Sequence, residues 1–173
     1  MKTAARFAIC FALVLTIPAL AGADWCHDGE GWYDRGHHCE VQEFTLSADR
    51  AVIEVDAGPN GGIRVTGWDR DEILLEAKIS AQADTDAEAA DLVSQVRIET
   101  AGTIEADGPP RGHEQSWWVS YRLHVPRRSN LDLEANNGGI SIAGVTGELR
   151  FDTTNGGIDL EEVGGDVRGE TTN

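Results

Sequence analysis

The sequence predicts an all-β protein, a parallel β-solenoid or β-roll of 18-residue coils with one inserted helix and a disulfide-closed N-terminal loop. The first observation behind this is a repeat. Asn137-Gly138-Gly139-Ile140 recurs as Asn155-Gly156-Gly157-Ile158, and Asn173 opens a third copy at the same 18-residue spacing. Matched positions keep their chemistry: Ile142 with Leu160, Val145 with Val163, Leu149 with Val167, Thr153 with Thr171. A unit this short cannot bury its own apolar side chains, so it must stack on its neighbours. The second observation is apolar alternation with a period of two in most runs after Val41, the signature of half-buried strands. The third is a lone pair of cysteines, Cys26 and Cys39, in a chain that begins with an export leader.

That leader comes first. Lys2 and Arg6 form a positive n-region, Phe7 to Leu20 an apolar h-region, and Ala21-Gly22-Ala23 a small-x-small cleavage site. This is a secretory signal peptide over residues 1–23, since a membrane span needs about 20 apolar residues. No cysteine directly follows Leu20-Ala21-Gly22, so lipid anchoring is not expected. Cleavage removes two cations and no acid, which takes the net charge from −16 to −18. Such an acidic surface repels nucleic acid and anionic lipid. Cys10 leaves with the leader, and the remaining pair is expected to form a disulfide in an oxidising compartment, worth roughly 3 kcal/mol in the chain-entropy account.

Residues 24–40 are rich in Gly, His, Trp and charge, without periodicity, and read as a cysteine-bounded loop. From Val41 the chain reads as a repeat domain to Asn173. Val41 to Leu46 and Val52 to Val55 alternate around Ser47-Ala48-Asp49-Arg50 and are expected to pair as strands. Asn60-Gly61-Gly62-Ile63 is a diverged early copy of the repeat, followed by a strand in which Ile73, Leu75, Ala77 and Ile79 share a face. Residues 84–96 carry the helix: Asp84 or Asp86 can cap it, alanines favour it, and Ala89, Leu92, Val93 and Val96 lie on one side. Arg97 to Ala106 returns to strand, and Asp107 to Gly112 is a loop. Trp117, Val119, Tyr121, Leu123 and Val125 alternate with polar partners up to Pro126. Leu131 and Leu133 then fall on Leu149 and Phe151 by the 18-residue period.

Two apolar sets per unit, each spaced by two, give two strands per coil, with Asn-Gly-Gly at the corner. A left-handed hexapeptide helix would need an aliphatic residue every six positions, which Ile142, Glu148 and Thr154 do not provide. Asn60, Asn137, Asn155 and Asn173 are expected to take left-handed dihedrals and to form an amide ladder. Gly61, Gly62, Gly138, Gly139, Gly156 and Gly157 are expected to turn the chain. Because Asn173 begins a unit, a C-terminal truncation is expected, with an open solenoid end able to self-associate end to end.

The leader, Cys39-Glu40-Val41, the strand ending at Val125-Pro126 before Asn130-Leu131-Asp132-Leu133, and the Asn-Gly-Gly-Ile units together resemble the bacterial DUF4097 family, β-strand-repeat proteins carrying the label “putative adhesin”. The resemblance covers roughly Val41 to Asn173. It implies an exported, non-enzymatic, solenoid-like domain and no cofactor.

Several constellations could carry chemistry. Cys26-His27 with His37-His38-Cys39 offers zinc-type ligands, but the spacing matches no finger pattern and an exported pair oxidises. Asp159, Glu161, Glu162 and Asp166 suggest calcium, yet the Gly-Gly-x-Gly-x-Asp loop of nonapeptide rolls is incomplete. Thr153-Thr154 and Thr171-Thr172 resemble ice-binding threonine ladders but run into a corner rather than along a flat Thr-x-Thr face. Asp69, Arg70, Asp71 and Glu72 are the densest charged group and sit at a turn. No nucleophile elbow or phosphate loop occurs. Alternation leaves Trp118, beside His113 and Arg122, as a possible exposed ligand platform.

The expectation is an adhesin-like structural or binding module in the periplasm or at the cell surface, contacting a protein or glycan. The alternative is a carbohydrate-active lyase or hydrolase on a β-helix scaffold, which would require paired carboxylates in a cleft.

Overall fold

A computed structural model describes residues 25–26, 35–112 and 114–172; the leader expected over residues 1–23, His27, His113 and Asn173 lie outside them. In chain order the elements are β1 (Gly36–Ser47), β2 (Ile53–Asp56), a 3-10 turn (Gly58–Asn60), β3 (Ile63–Trp68), β4 (Glu72–Ala83) and α1 (Asp86–Gln95). They continue as β5 (Arg97–Glu99), β6 (Glu105–Asp107), β7 (Ser116–Pro126), β8 (Leu131–Ala135), β9 (Ile140–Ala143), β10 (Thr146–Thr153), β11 (Ile158–Glu161) and β12 (Gly164–Thr171).

The 18-residue period appears directly as strand register. Leu149 pairs with Leu131 and Val167 with Leu149, each across a parallel step. Ile158 pairs with Ile140 in the same way on the other sheet. The early copy joins this lattice, with Ile53 opposite Leu131 and Ile63 opposite Ile140. One sheet of four strands runs β12-β10-β8-β2, all parallel. The other runs β1-β4-β7-β3-β9-β11.

In this six-stranded sheet the expectation of parallel pairing throughout is corrected. β4 is antiparallel to both β1 and β7, so the sheet is mixed. The physical reason is connection length. The short turn between β3 and β4 reverses the chain, so the two strands run in opposite directions; β7, parallel to β3, lies between them and is therefore antiparallel to β4. β1 and β2 are not partners either: β1 pairs with β4 and β2 with β8, in different sheets. β1 also begins at Gly36, inside the stretch read as loop. The run from Arg97 to Ala106 is not one strand but a small hairpin of β5 and β6.

The inward faces of both large sheets form one core. Ile73, Leu75, Ile79, Leu123, Leu131, Leu133, Ile140, Ile142 and Leu149 are all at most 1% exposed. Each such side chain contributes about 1.5–3 kcal/mol of burial. The core thins toward β11 and β12, where Leu160 and Val167 are 38% and 36% exposed. α1 packs Ala89, Leu92 and Val93 against β1 and β4. Its N-cap is Thr85 rather than either aspartate. The Thr85 hydroxyl accepts from Glu88 N, and Glu88 Oε2 accepts from Thr85 N, a reciprocal capping box.

The Asn-Gly-Gly corners do not use left-handed backbone. Among the described residues, positive φ occurs at Gly58, Gly144, Gly165 and Glu162 only. The first glycine of each pair is needed for close approach instead. A Cβ on Gly61 would lie 1.8 Å from Val119 O, one on Gly138 1.9 Å from Gly61 O, and one on Gly156 2.1 Å from Gly138 O. The second glycine differs. A Cβ on Gly62 or Gly139 would stand 3.1 or 3.3 Å from the next strand's carbonyl oxygen, and one on Gly157 would meet nothing within 4 Å. Asn155 Nδ2 donates to Asn137 Oδ1 at 2.8 Å, and Asn137 Nδ2 donates to Asn60 Oδ1 at 3.1 Å. Thr153 is fully buried, with its hydroxyl donating to Gly138 O, so it forms no exposed threonine face.

Candidate functional site

Side chains on the outer face of the six-stranded sheet are set by register. Arg122 of β7 lies opposite Arg64 of β3, Arg64 opposite Ser141 of β9, and Ser141 opposite Asp159 of β11. Two residues earlier, on the same face, the row reads Ser120, Gly62, Gly139, Gly157. Here Gly62 N donates to Ser120 Oγ at 3.3 Å, and the glycine carbonyls accept from Tyr121, Ile63 and Ile140. The second glycines therefore leave a strip of bare backbone beside a row of polar side chains. The result is a groove of about 450 Å³.

Trp25 forms the wall of this groove. The disulfide between Cys26 and Cys39 fastens it to β1. Its carbonyl accepts from Lys78 Nζ at 2.8 Å, and its ring lies 3.8 Å from the Arg122 guanidinium carbon. Lys78 Nζ stands 5.7 Å from the same ring. Stacking on indole holds a guanidinium in one plane. Arg64 is exposed beside it. Two guanidiniums and an ammonium thus lie on one face of a chain whose net charge is −16, with Glu76 opposite Arg122 in register and Asp159 at the end of the row.

The cysteines are bonded to each other and are not thiolate ligands, which settles Cys26 and Cys39 as a disulfide. Among the described residues no group of three or more His, Cys, Asp or Glu has metal-binding geometry. Trp117 is buried and Trp118 half-buried. Trp118 stands 6.3 Å from the ring of His37, on the same face of β7 as Ser120 and Arg122, and is not among the residues that line the groove. Trp68 stacks on His124, lies under Arg70, and donates from Nε1 to Glu72 O. Asp69 holds Arg127, which raises the Arg127 pKa through a charge-assisted hydrogen bond at 2.7 Å. Within the acidic turn, Asp69 pairs with Arg127, distant in the chain, and Glu72 with Arg70. The carboxylates Asp159, Glu161, Glu162 and Asp166 are dispersed over β11, β12 and the turn between them.

Sequence reasoning missed Trp25 because it sits in an aperiodic stretch. The signal was its adjacency to Cys26, which restricts it to the neighbourhood of Cys39. It also missed Arg64, which lies in the diverged repeat.

No protein-family profile matches the chain, and no curated protein does. Among solved structures, a “putative cell adhesion protein” from Clostridium sporogenes ATCC 15579 is similar at 10% identity, over 78% of this chain and 68% of that one, with a TM-score of 0.43. A “putative lipid binding protein” from Parabacteroides distasonis ATCC 8503 has 12% identity over 77% of this chain and 60% of its own, with a TM-score of 0.35. A “putative adhesin” from Bacteroides fragilis NCTC 9343 has 10% identity, with coverage of 78% and 61% and a TM-score of 0.32. The chain thus spans less than two thirds of the length of the second and third of these. Among the described residues no helix is long and apolar enough to cross a membrane.

Proposed function

We propose that this chain is an exported, non-enzymatic binding module of the adhesin type, whose repeats form a short two-sheet parallel solenoid and whose outer groove holds a carboxylate-bearing glycan. The row of Arg122 and Arg64 beneath Trp25 carries this reading. Adjacent guanidiniums, one of them fixed in plane by indole, suit the bidentate geometry of a uronate carboxylate. The bare glycine strip beside them gives sugar hydroxyls access to backbone. Asp159 closes the far end of the row, so the carboxylate is placed at the Arg122–Arg64 end, and acidic groups beyond about 8 Å are largely screened at physiological salt. The disulfide supports an envelope or extracellular setting, since such bonds persist in oxidising compartments.

The test is binding of polygalacturonate and of neutral dextran to the secreted protein, by calorimetry at low and physiological salt. Polygalacturonate is expected to bind and dextran not to, with affinity falling as salt rises and falling about tenfold or more in Arg64→Ala. Equal binding of both polymers, or no effect of Arg64→Ala, overturns the reading. N-terminal sequencing of the exported product is expected to begin at Asp24.

A further inference from the structure

The groove on the outer face of the six-stranded sheet has two chemically different ends. Arg64 of β3 and Asp159 of β11 stand two strand steps apart in register, with Ser141 of β9 between them. At the spacing of hydrogen-bonded strands this is about 9.5 Å between backbones. All three residues line the groove. Arg64 and Asp159 are exposed and Ser141 is half-buried. Among the described residues none of these three side chains has a hydrogen bond or a salt bridge.

That arrangement stands out in this chain. Arg70 pairs with Glu72, Arg127 with Asp69, Arg150 with Glu148 and Arg168 with Asp166. Arg122 is stacked on Trp25 and faces Glu76 in register. Arg64 is left for a ligand anion, and Asp159 for a ligand donor, on one row and out of each other's reach.

Charge and spacing select the occupant. A carboxylate on Arg64 leaves Asp159 unmet at the other end. A second carboxylate there would meet Asp159 as a like charge, and a uniform polyanion is also opposed by the net charge of −16. A hydroxyl would be accepted by Asp159, but an ammonium gains more, because ionising the donor as well as the acceptor strengthens the bond. The Ser141 hydroxyl can donate to or accept from a group lying between the two charges. Gly62, Gly139 and Gly157 run alongside the same row, so a chain of sugar rings can lie across β3, β9 and β11 without meeting side chains there. We propose that the groove selects a zwitterionic glycan in which a uronate alternates with a hexosamine bearing a free amine, its carboxylate on Arg64 and the adjoining ammonium on Asp159. This rests on the carboxylate-binding reading of the groove and adds to it a specificity residue and a class of sugar.

The experiment uses heparosan oligosaccharides, in which glucuronate alternates with N-acetylglucosamine, and the same oligosaccharides after de-N-acetylation. The two differ only in the acetyl groups. Both are titrated by calorimetry into the secreted protein at physiological salt and about pH 6, where a free amine is protonated. The de-N-acetylated form is expected to bind about tenfold tighter. Asp159→Asn, a near-isosteric change at an exposed position, is expected to remove that advantage without weakening the acetylated form, and Arg64→Ala to weaken both. Equal affinity for the two forms overturns the proposal and, where Arg64→Ala still weakens both, leaves the carboxylate reading standing. A preference that survives Asp159→Asn reflects the net charge of the protein and not this site, and overturns the proposal equally. Loss of all binding, polygalacturonate included, overturns both readings.

Discussion

The two glycines of each corner make opposite demands, and alanine substitution separates them. In Gly138→Ala the new Cβ would sit 1.9 Å from Gly61 O and 2.5 Å from Gly61 C. Both contacts are backbone, so no side chain can swing away and the stacked corners must move apart. That movement acts on Asn137 N→Pro59 O at 3.1 Å and Ile63 N→Gly139 O at 3.0 Å. Overpacking costs about 1–3 kcal/mol, and weakening two hydrogen bonds adds roughly 0.5–1.5 kcal/mol each. The expected destabilisation is about 2–6 kcal/mol. In Gly157→Ala the same methyl meets nothing within 4 Å, and the residue does not have positive φ. Its main effect is to reduce the freedom of the unfolded chain, a stabilisation of about 0.4–1 kcal/mol. Urea unfolding followed by tryptophan emission measures both. With a slope of about 2 kcal/mol per molar, the midpoints of the two variants should differ by at least roughly 1 M. Midpoints within experimental error of each other would refute the close-approach account.

Leu149→Ala, at a fully buried position shared by the stacked coils, should cost about 2–5 kcal/mol by the same assay. Cys26→Ser or Cys39→Ser should lose roughly 3 kcal/mol. Either should also release Trp25 from Arg122, seen as a red shift in emission on excitation of tryptophan. Thr153→Val should cost about 1 kcal/mol or more by leaving Gly138 O without its side-chain donor. Tyr121 supplies a pH signature. Burial, followed by Asp56 and Glu105, raises its pKa above the ordinary value near 10. The folded state then keeps a proton that the unfolded state releases. This contribution is fully present below about pH 10 and is lost as pH rises above it, by up to about 1.4 kcal/mol per unit. The alkaline limb of the stability curve should flatten in Tyr121→Phe.

How much of this was legible in the sequence follows from what a repeat encodes. An 18-residue spacing fixes which residues sit above one another, so Leu131 on Leu149 and Ile140 on Ile158 could be read before any coordinates. Alternation also separated Trp117 from Trp118. Neither signal encodes strand direction. β1, β4 and β7 also alternate, yet they pair antiparallel across long connections, which the alternation does not record. The cap of α1 was missed because Asp84, Thr85 and Asp86 are all competent, and the choice depends on Glu88 reaching back to one of them. The glycines were assigned to the right place for the wrong reason: a sequence records that a side chain is absent, not whether φ or a neighbouring backbone forbids it.

That distinction connects the architecture to the groove. If both glycines existed only for turning, either position would tolerate or refuse a side chain alike. Contact geometry instead makes Gly61, Gly138 and Gly156 obligatory for stacking, while Gly62, Gly139 and Gly157 face outward beside Ser120 and the Arg64 row. A side chain at Gly157, where nothing lies within 4 Å, would narrow the groove without breaking the ladder, whereas Gly62 and Gly139 sit 3.1 and 3.3 Å from a backbone oxygen. Gly157→Ser should therefore leave the fold intact, since nothing lies within 4 Å of its Cβ, and should weaken polygalacturonate binding at the proposed site. Calorimetry on a Gly157→Ser protein with an unchanged urea midpoint gives the comparison. Undiminished binding would mean that the bare strip is a by-product of the repeat and not part of the recognition surface.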